Sequence, residues 1–248
     1  MTAPLLSVED VVVAYGDFRA LDGFSMTLEQ GETRVVIGPN GAGKSTLCDA
    51  IIGRVRPSGG RVSFQGEDIT RLPEEAIVGR GICRKFQTPG VLPSLTVEDN
   101  LALAARTDKR WWKSFGFGIP AEEQDVIDAA LEQVSLADRR TDLAGLLSHG
   151  EKQWLEIAMV LATGAQLLLL DEPTAGMGPQ ETRKTAELIH SLGSSRTLLV
   201  IDHDMSFVEQ LASQVTVMHQ GKFLTQGSVE DIRADEEVAA IYLGQTHA

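Results

Sequence analysis

Nine consecutive residues, Gly38-Pro39-Asn40-Gly41-Ala42-Gly43-Lys44-Ser45-Thr46, follow the spacing G-x-x-x-x-G-K-[ST], which suits the cradling of phosphates. The glycines let the backbone turn so that successive N–H groups converge on an anion, and a helix beginning there adds its positive end. Lys44 has the reach for β- and γ-phosphates, and the Ser45 hydroxyl is an oxygen donor of the kind Mg²⁺ takes. The flanks agree. Thr33-Arg34-Val35-Val36-Ile37 has the pattern of a buried strand, and Leu47, Ala50 and Ile51 recur at helical spacing. The plainer alternative is a Gly-rich turn with no ligand, but strand, loop and helix together point to a nucleoside triphosphate.

A second pattern with chemical content is Leu167-Leu168-Leu169-Leu170-Asp171-Glu172. A buried strand ending in two acids sets carboxylates at the carboxyl edge of a parallel sheet, where a phosphate loop also lies. Asp171 suits Mg²⁺, directly or through water, and Glu172 suits the orientation and deprotonation of an attacking water. Taken alone, an acidic turn after a core strand is commonplace; the upstream phosphate loop is what gives it weight.

These residues need a scaffold, and the rest of the chain supplies one. The 248 residues are 43% hydrophobic and 23% charged, the profile of one globular domain with room for a subdomain. Before the insertion, strands are expected at Leu5–Ala14, Ser25–Leu28, Thr33–Ile37 and Arg61–Phe64. From about Leu95 to Leu161 the periodicity is helical, with Ile127, Ala130, Leu131 and Val134 on one face and Trp154, Ile157, Ala158 and Leu161 on another. Short strands and helices then alternate: Leu167–Leu170, Glu181–Leu192, Thr197–Ile201, Phe207–Leu211 and Val215–Met218. Continuous apolar strands separated by helices imply a parallel sheet covered on both faces. No apolar run approaches the ~18 residues of a membrane span, and Met1-Thr2-Ala3-Pro4 lacks the features of a secretory leader. Cys48 and Cys83 have neither metal-ligand spacing nor a disulfide framework, which fits a reduced compartment. A net charge of −13 argues against broad nucleic-acid binding.

A third pattern separates the possible families. Leu147-Ser148-His149-Gly150-Glu151-Lys152-Gln153 opens the Trp154 helix, and Ser148 with Glu151 makes an S-x-x-E capping box, a full structural explanation for those two residues. Yet the order along the chain is distinctive. Phosphate loop, helical insertion, Ser-x-Gly helix start, Asp-Glu strand and a strand ending at His203 together resemble the ATP-binding cassette (ABC) family of transporter ATPases over nearly the whole length. The resemblance implies an α/β P-loop NTPase with a mainly parallel core sheet, an N-terminal antiparallel β subdomain and a helical subdomain. It divides the chain into a catalytic core over 1–86 and 166–248 and a helical signature subdomain over about 87–165.

The resemblance also assigns roles. Tyr15 stands where the family stacks an aromatic ring on adenine, Gln87 where it senses Mg²⁺ and water, and His203 where a switch histidine meets the γ-phosphate. Ser148, His149, Gly150 and Glu151 occupy the signature that faces nucleotide bound to a second cassette. His149 and Glu151 depart from the common Ser-Gly-Gly-Gln form, and Gly178 stands where the loop after Glu172 usually has aspartate. Arg84-Lys85-Phe86-Gln87-Thr88-Pro89, Leu95-Thr96-Val97-Glu98-Asp99-Asn100-Leu101 and the Ile241-Tyr242-Leu243-Gly244 tail look like the branched-chain amino acid and urea transporter branch. Within it, Ser-His-Gly followed by Lys-Gln-Trp-Leu-Glu is most similar to the longer ATP-binding subunit of urea transporters. The implied cofactors are ATP and Mg²⁺. The implied partners are a second ATPase subunit, either a paralogue or a second copy, two integral membrane permease subunits and, indirectly, a periplasmic solute-binding protein. The implied location is the cytoplasmic face of the plasma membrane, with urea as the expected solute and branched-chain amino acids as the alternative.

Arg106-Thr107-Asp108-Lys109-Arg110-Trp111-Trp112-Lys113 sets four cations around two tryptophans. Charge runs are usually solvated, so a surface loop packed on the helical subdomain is favoured over contact with lipid or a membrane subunit. Among rival functions, a DNA- or ribosome-directed cassette would call for tandem cassettes, a long coiled coil or a basic surface. A small-molecule kinase leaves Ser148 unexplained, and a purely regulatory module leaves Lys44, Asp171 and Glu172 without use.

Overall fold

The computed structural model describes residues 3–84, 90–105, 121–193, 195–211 and 214–243. Gln87, the Arg106–Lys113 segment and Gly244 lie outside the described residues. Alternating burial organises the N-terminal part. β1 (Leu6–Tyr15) pairs antiparallel with β2 (Phe18–Leu28) on one side and β4 (Gly59–Phe64) on the other, and β4 pairs with the short β5 (Glu67–Asp68). Leu6, Val8, Val11 and Val13 point inward with Phe24 and Leu28, meeting Leu47 and Ile51 of α1 (Lys44–Ile51).

The second sheet has the order β10-β9-β3-β8-β7-β6. Here β3 is Thr33–Ile37, β6 Ile82–Arg84, β7 Leu167–Asp171, β8 Thr197–Ile201, β9 Gln214–His219 and β10 Lys222–Gly227. Pairing is parallel from β6 through β9, and β10 closes the edge antiparallel to β9. Its central strands read as unbroken apolar runs because both faces are covered. Val35, Ile37, Leu168, Leu170, Leu198 and Val200 face the cluster that holds the helical insertion, while Val36, Leu167, Leu169, Leu199 and Ile201 face the antiparallel sheet and α1.

Between β6 and β7 run α3 (Val97–Ala105), α4 (Ala121–Gln133) and α5 (His149–Ala162), the helical subdomain. α6 (Pro179–Gly193) joins β7 to β8, α7 (Met205–Leu211) joins β8 to β9, and α8 (Val229–Ala234) and α9 (Glu236–Leu243) follow β10; α2 (Glu74–Val78) precedes β6. Among the described residues no helix is long and apolar enough to cross a membrane. Cys48 and Cys83 are buried and unpaired.

The expected elements are present, with boundaries moved where local signals are weak. β2 begins at Phe18 rather than Ser25, because Asp22 and Gly23 break the alternation while the Val12–Asp22 and Val13–Leu21 pairs continue the ladder. β6 and β10 were not foreseen from the sequence. β6 is three residues long, and β10 is a polar edge strand with no fully buried side chain.

One buried polar residue fixes the entry to the helical subdomain. Asn100 is fully buried; its Oδ1 accepts from the Leu92 amide at 2.7 Å, and its Nδ2 donates to the carbonyls of Leu92 at 3.1 Å and Thr96 at 2.8 Å. Replacing Asn100 by alanine leaves part-buried backbone groups of Leu92 without their partner and removes a fully buried amide, so stability to urea is expected to fall by about 1–2 kcal/mol. An unchanged denaturation midpoint would show that water takes over these bonds.

Candidate functional site

The loop from Gly38 to Gly43 leaves the end of β3 and enters α1. Its two end glycines are required by contact. A Cβ on Gly38 would lie 2.2 Å from the Met218 carbonyl oxygen, and one on Gly43, at φ +101°, would lie 2.4 Å from that of Ala20. The second contact sets the β1–β2 hairpin beside the loop. α1 begins with no side-chain cap, so side chains do not use up the amides of its first turn, as an anion site requires. Lys44 Nζ donates to the Gly38 carbonyl at 2.7 Å and the Pro39 carbonyl at 3.0 Å. Burial pushes its pKa down, opposed by the charges of Glu172, Asp171 and Asp202. From the other end of the chain, the Tyr242 hydroxyl is buried beside the Gly38 amide without meeting hydrogen-bond geometry, and burial pushes its pKa up to about 12.

The acids arrive on the neighbouring strands. Asp171 ends β7 with its side chain buried, and its Oδ2 accepts from Arg84 Nη2 at 2.5 Å. Glu172 follows at φ +46°, a left-handed conformation uncommon for a residue with a side chain. Its amide donates to the Ile201 carbonyl of β8 at 2.8 Å, which holds that turn. His203, two residues beyond β8, brings Nδ1 to 3.4 Å from Glu172 Oε1, with both side chains substantially exposed. Beside His203 lies Asp202, 1% exposed, whose carboxylate accepts from the amides of His203 (2.7 Å) and Asp204 (3.0 Å) and from the Thr174 hydroxyl (3.0 Å). Asp202 and Thr174 were not singled out in the sequence, although Asp202 is adjacent to His203 and ends an apolar strand, as Asp171 does.

Tyr15 ends β1 with half its surface exposed, paired across the hairpin with Phe18, which is more exposed still. Exposure of both rings next to the Gly43 contact suits a planar ligand. Phe18 carried no sequence signal, because a lone aromatic at a turn is ordinary.

The Ser148 segment forms the expected capping box. The Glu151 amide donates to Ser148 Oγ at 3.2 Å, and the Ser148 amide donates to Glu151 Oε2 at 2.8 Å. Glu151 is further neutralised by Arg139 at 2.8 Å, so its charge is turned back into its own subdomain. His149 turns the other way. Its Nε2 donates to the Ala175 carbonyl at 3.0 Å, packing against Gly176, which adopts φ +75°. Gly150 abuts the Glu181 side chain, whose Oε2 accepts from the Gly178 amide at 3.0 Å. Farther along α5, Trp154 Nε1 donates to the Thr185 hydroxyl at 2.9 Å. Of the three positions that depart from the pattern the resemblance implies, His149 lies against the loop that leads to Gly178, touching it at Ala175 and Gly176, while Glu151 turns away.

As a Mg²⁺ site, Ser45 and Asp171 offer hard oxygen donors, and one oxygen of Asp171 is already held by Arg84. That set fits an ion that keeps several waters and takes its remaining ligands from phosphate. Gln87, the other expected ligand, lies outside the described residues.

A protein-family model described as "ABC transporter" matches residues 21–175. The high-affinity branched-chain amino acid transport ATP-binding protein BraF of Pseudomonas aeruginosa is 34% identical, with 99% of this chain and 100% of that protein covered. The probable branched-chain amino acid transport ATP-binding protein LivG of Methanocaldococcus jannaschii is 32% identical, with 98% and 99% covered. Among solved structures, an ATP-binding cassette of an ABC transporter in its ADP conformation superposes with a TM-score of 0.87 at 31% identity, covering 98% of this chain and 100% of that one. CbiO1 of Clostridium perfringens, part of the transporter complex CbiONQ, gives 0.80 at 28% identity, covering 98% and 95%.

Removing the cap at Ser148 leaves an amide of the first α5 turn without its acceptor. Ser148→Ala is expected to lower stability by about 1 kcal/mol in thermal unfolding; a loss indistinguishable from zero would mean that Glu151 and Arg139 hold the helix start unaided.

Proposed function

The chain belongs to the ABC transporter family, whose ATP-binding subunits hydrolyse ATP, and we propose that it powers an importer for branched-chain amino acids. The relatives that match over nearly their full length are named for that transport. Urea, the solute expected from the sequence, is the second reading. It rests on the Ser148-His149-Gly150 run with Lys152-Gln153-Trp154-Leu155-Glu156, and the named relatives favour the amino acids over it.

The observation that carries the mechanism is the 3.4 Å approach of His203 to Glu172 at the ends of β8 and β7, the two strands that follow β3 on one side of the sheet. In this mechanism the loop amides and Lys44 hold the ATP phosphates, with Tyr15 against the adenine. Bound through Ser45, Gln87 and Asp171, Mg²⁺ would supply charge neutralisation at the phosphate oxygens. Glu172 accepts a proton from water as its oxygen attacks the γ-phosphorus; ADP leaves, and inorganic phosphate carries the new P–O bond. His203 steadies Glu172 and the γ-phosphate. Ser148 and Gly150 of a second cassette, a paralogue or a second copy, complete each site, so ATP draws the two together and hydrolysis releases them.

Transmission to two membrane permease subunits, themselves served by a periplasmic binding protein, runs through the segment after Gln87. Leu92 there is exposed. Its neighbours Pro93 and Leu95 bond through their carbonyls to the amides of Gly145 and Ala144, beside exposed Leu143 and Leu146. An apolar surface of this kind suits a short permease helix and would hold the chain at the cytoplasmic face of the membrane.

Glu172→Gln is expected to bind ATP, to hydrolyse it at least 100-fold more slowly, as befits loss of a general base, and to accumulate as a dimer on ATP; wild-type turnover would remove Glu172 from its role. Uptake of labelled leucine and labelled urea by the host with and without the gene tests the solute. Loss of leucine uptake supports the first reading, loss of urea uptake alone the second, and loss of neither points to a cassette outside transport.

A further inference from the structure

Arg84 is a charged residue in the interior with no part in the mechanism above. It ends β6, level with Leu169 of β7, and only 4% of it is exposed. Its guanidinium spans two carboxylates: Nη1 lies 2.5 Å from Asp49 Oδ1 and Nη2 lies 2.5 Å from Asp171 Oδ2. Nε is buried with no hydrogen-bond partner among the described residues, so the two carboxylates alone set the orientation of the fork. Asp49 stands four residues after Ser45 on α1, and residues spaced i, i+4 share one helix face. Ser45 and Asp171 are therefore joined through protein by a closed circuit. One turn of α1 leads from Ser45 to Asp49, Arg84 crosses to Asp171, and the sheet returns to the loop.

We propose that Arg84 is a positioning residue for the divalent cation. By bridging α1 and β7 it fixes the span between the Ser45 hydroxyl and the Asp171 carboxylate. A planar fork anchored on two acids permits little rotation, whereas an ammonium on a flexible stem reaches one acid at a time. Mg²⁺ demands near-ideal octahedral geometry, so a loose pair of donors weakens the cation and leaves contacts to the phosphates themselves intact. Arg84 has a second effect in this arrangement: its charge offsets that of Asp171, one of three carboxylates, with Glu172 and Asp202, that act on Lys44.

This inference rests on the ATP and cation site proposed above, and the test separates the two. In a Glu172→Gln background, which prevents turnover, ATP binding is followed by calorimetry in EDTA and across a MgCl2 titration. Arg84→Lys keeps the charge and loses the fork; Asp49→Asn keeps Arg84 and takes the charge from its outer anchor, a part-exposed side chain. Both variants are expected to bind ATP in EDTA within twofold of the parent and to need at least fivefold more Mg²⁺ for half-saturation. Two results overturn the proposal: Mg²⁺ half-saturation within twofold of the parent in both variants, or a lower one, which would make Arg84 a cation competing with Mg²⁺. A parent that binds no ATP at all would instead overturn the site itself. If Arg84→Lys fails to fold, Asp49→Asn decides alone.

Discussion

Parallel pairing of β8 with both β3 and β7 brings three strand ends to one edge: the phosphate loop from β3, Asp171 and Glu172 from β7, and His203 from β8. Parallel strands require crossovers, and buried crossovers require strands that are apolar on both faces. The run from Leu167 to Leu170 is thus the price of placing two acids beside a phosphate loop. Because the sheet is covered on both faces, the polar groups at its edge sit on a rigid base and acquire internal partners. Asp202 gathers three donors and Asp171 takes Arg84.

The helical subdomain is attached differently. It meets the sheet through a broad apolar cluster, and the start of α5 touches the rest of the chain through two hydrogen bonds, His149 to the Ala175 carbonyl and Trp154 to Thr185, with Gly150 close against Glu181. A broad apolar contact permits small sliding, while discrete hydrogen bonds act as catches. Within the chain, the His149 imidazole holds the loop after Glu172 at the Ala175 carbonyl, ahead of Gly178.

The fold was legible because its signals were of the strongest kinds. Apolar strand runs, the glycine spacing of the phosphate loop and the capping box at Ser148 all depend on local geometry, and each is where the sequence puts it. Elements whose identity depends on neighbours were not legible. β6 is three residues given strand form by β7, β10 is a polar edge strand given form by β9, and the start of β2 is carried across Asp22 and Gly23 by pairing with β1. The same division holds within the site. Lys44, Glu172 and His203 were visible from motif and order, whereas Arg84 and Asp49 act through partners distant in sequence, as does Asp202 through Thr174. An arginine ending a short buried strand was the available sign, and only contact with Asp171 gives it meaning.

The left-handed backbone at Glu172 has a consequence for descent. Glycine, asparagine and aspartate sit more easily at φ +46° than glutamate does, so unconstrained mutation drifts away from glutamate at this position. Strain of this kind persists where its surroundings over-determine it, as the Ile201 carbonyl does by accepting from the Glu172 amide. On the proposed role of Glu172 as general base, a duplicated gene released from hydrolysis would shed it among its earliest changes, gaining backbone ease, while the apolar strands beneath would persist for the sake of folding alone.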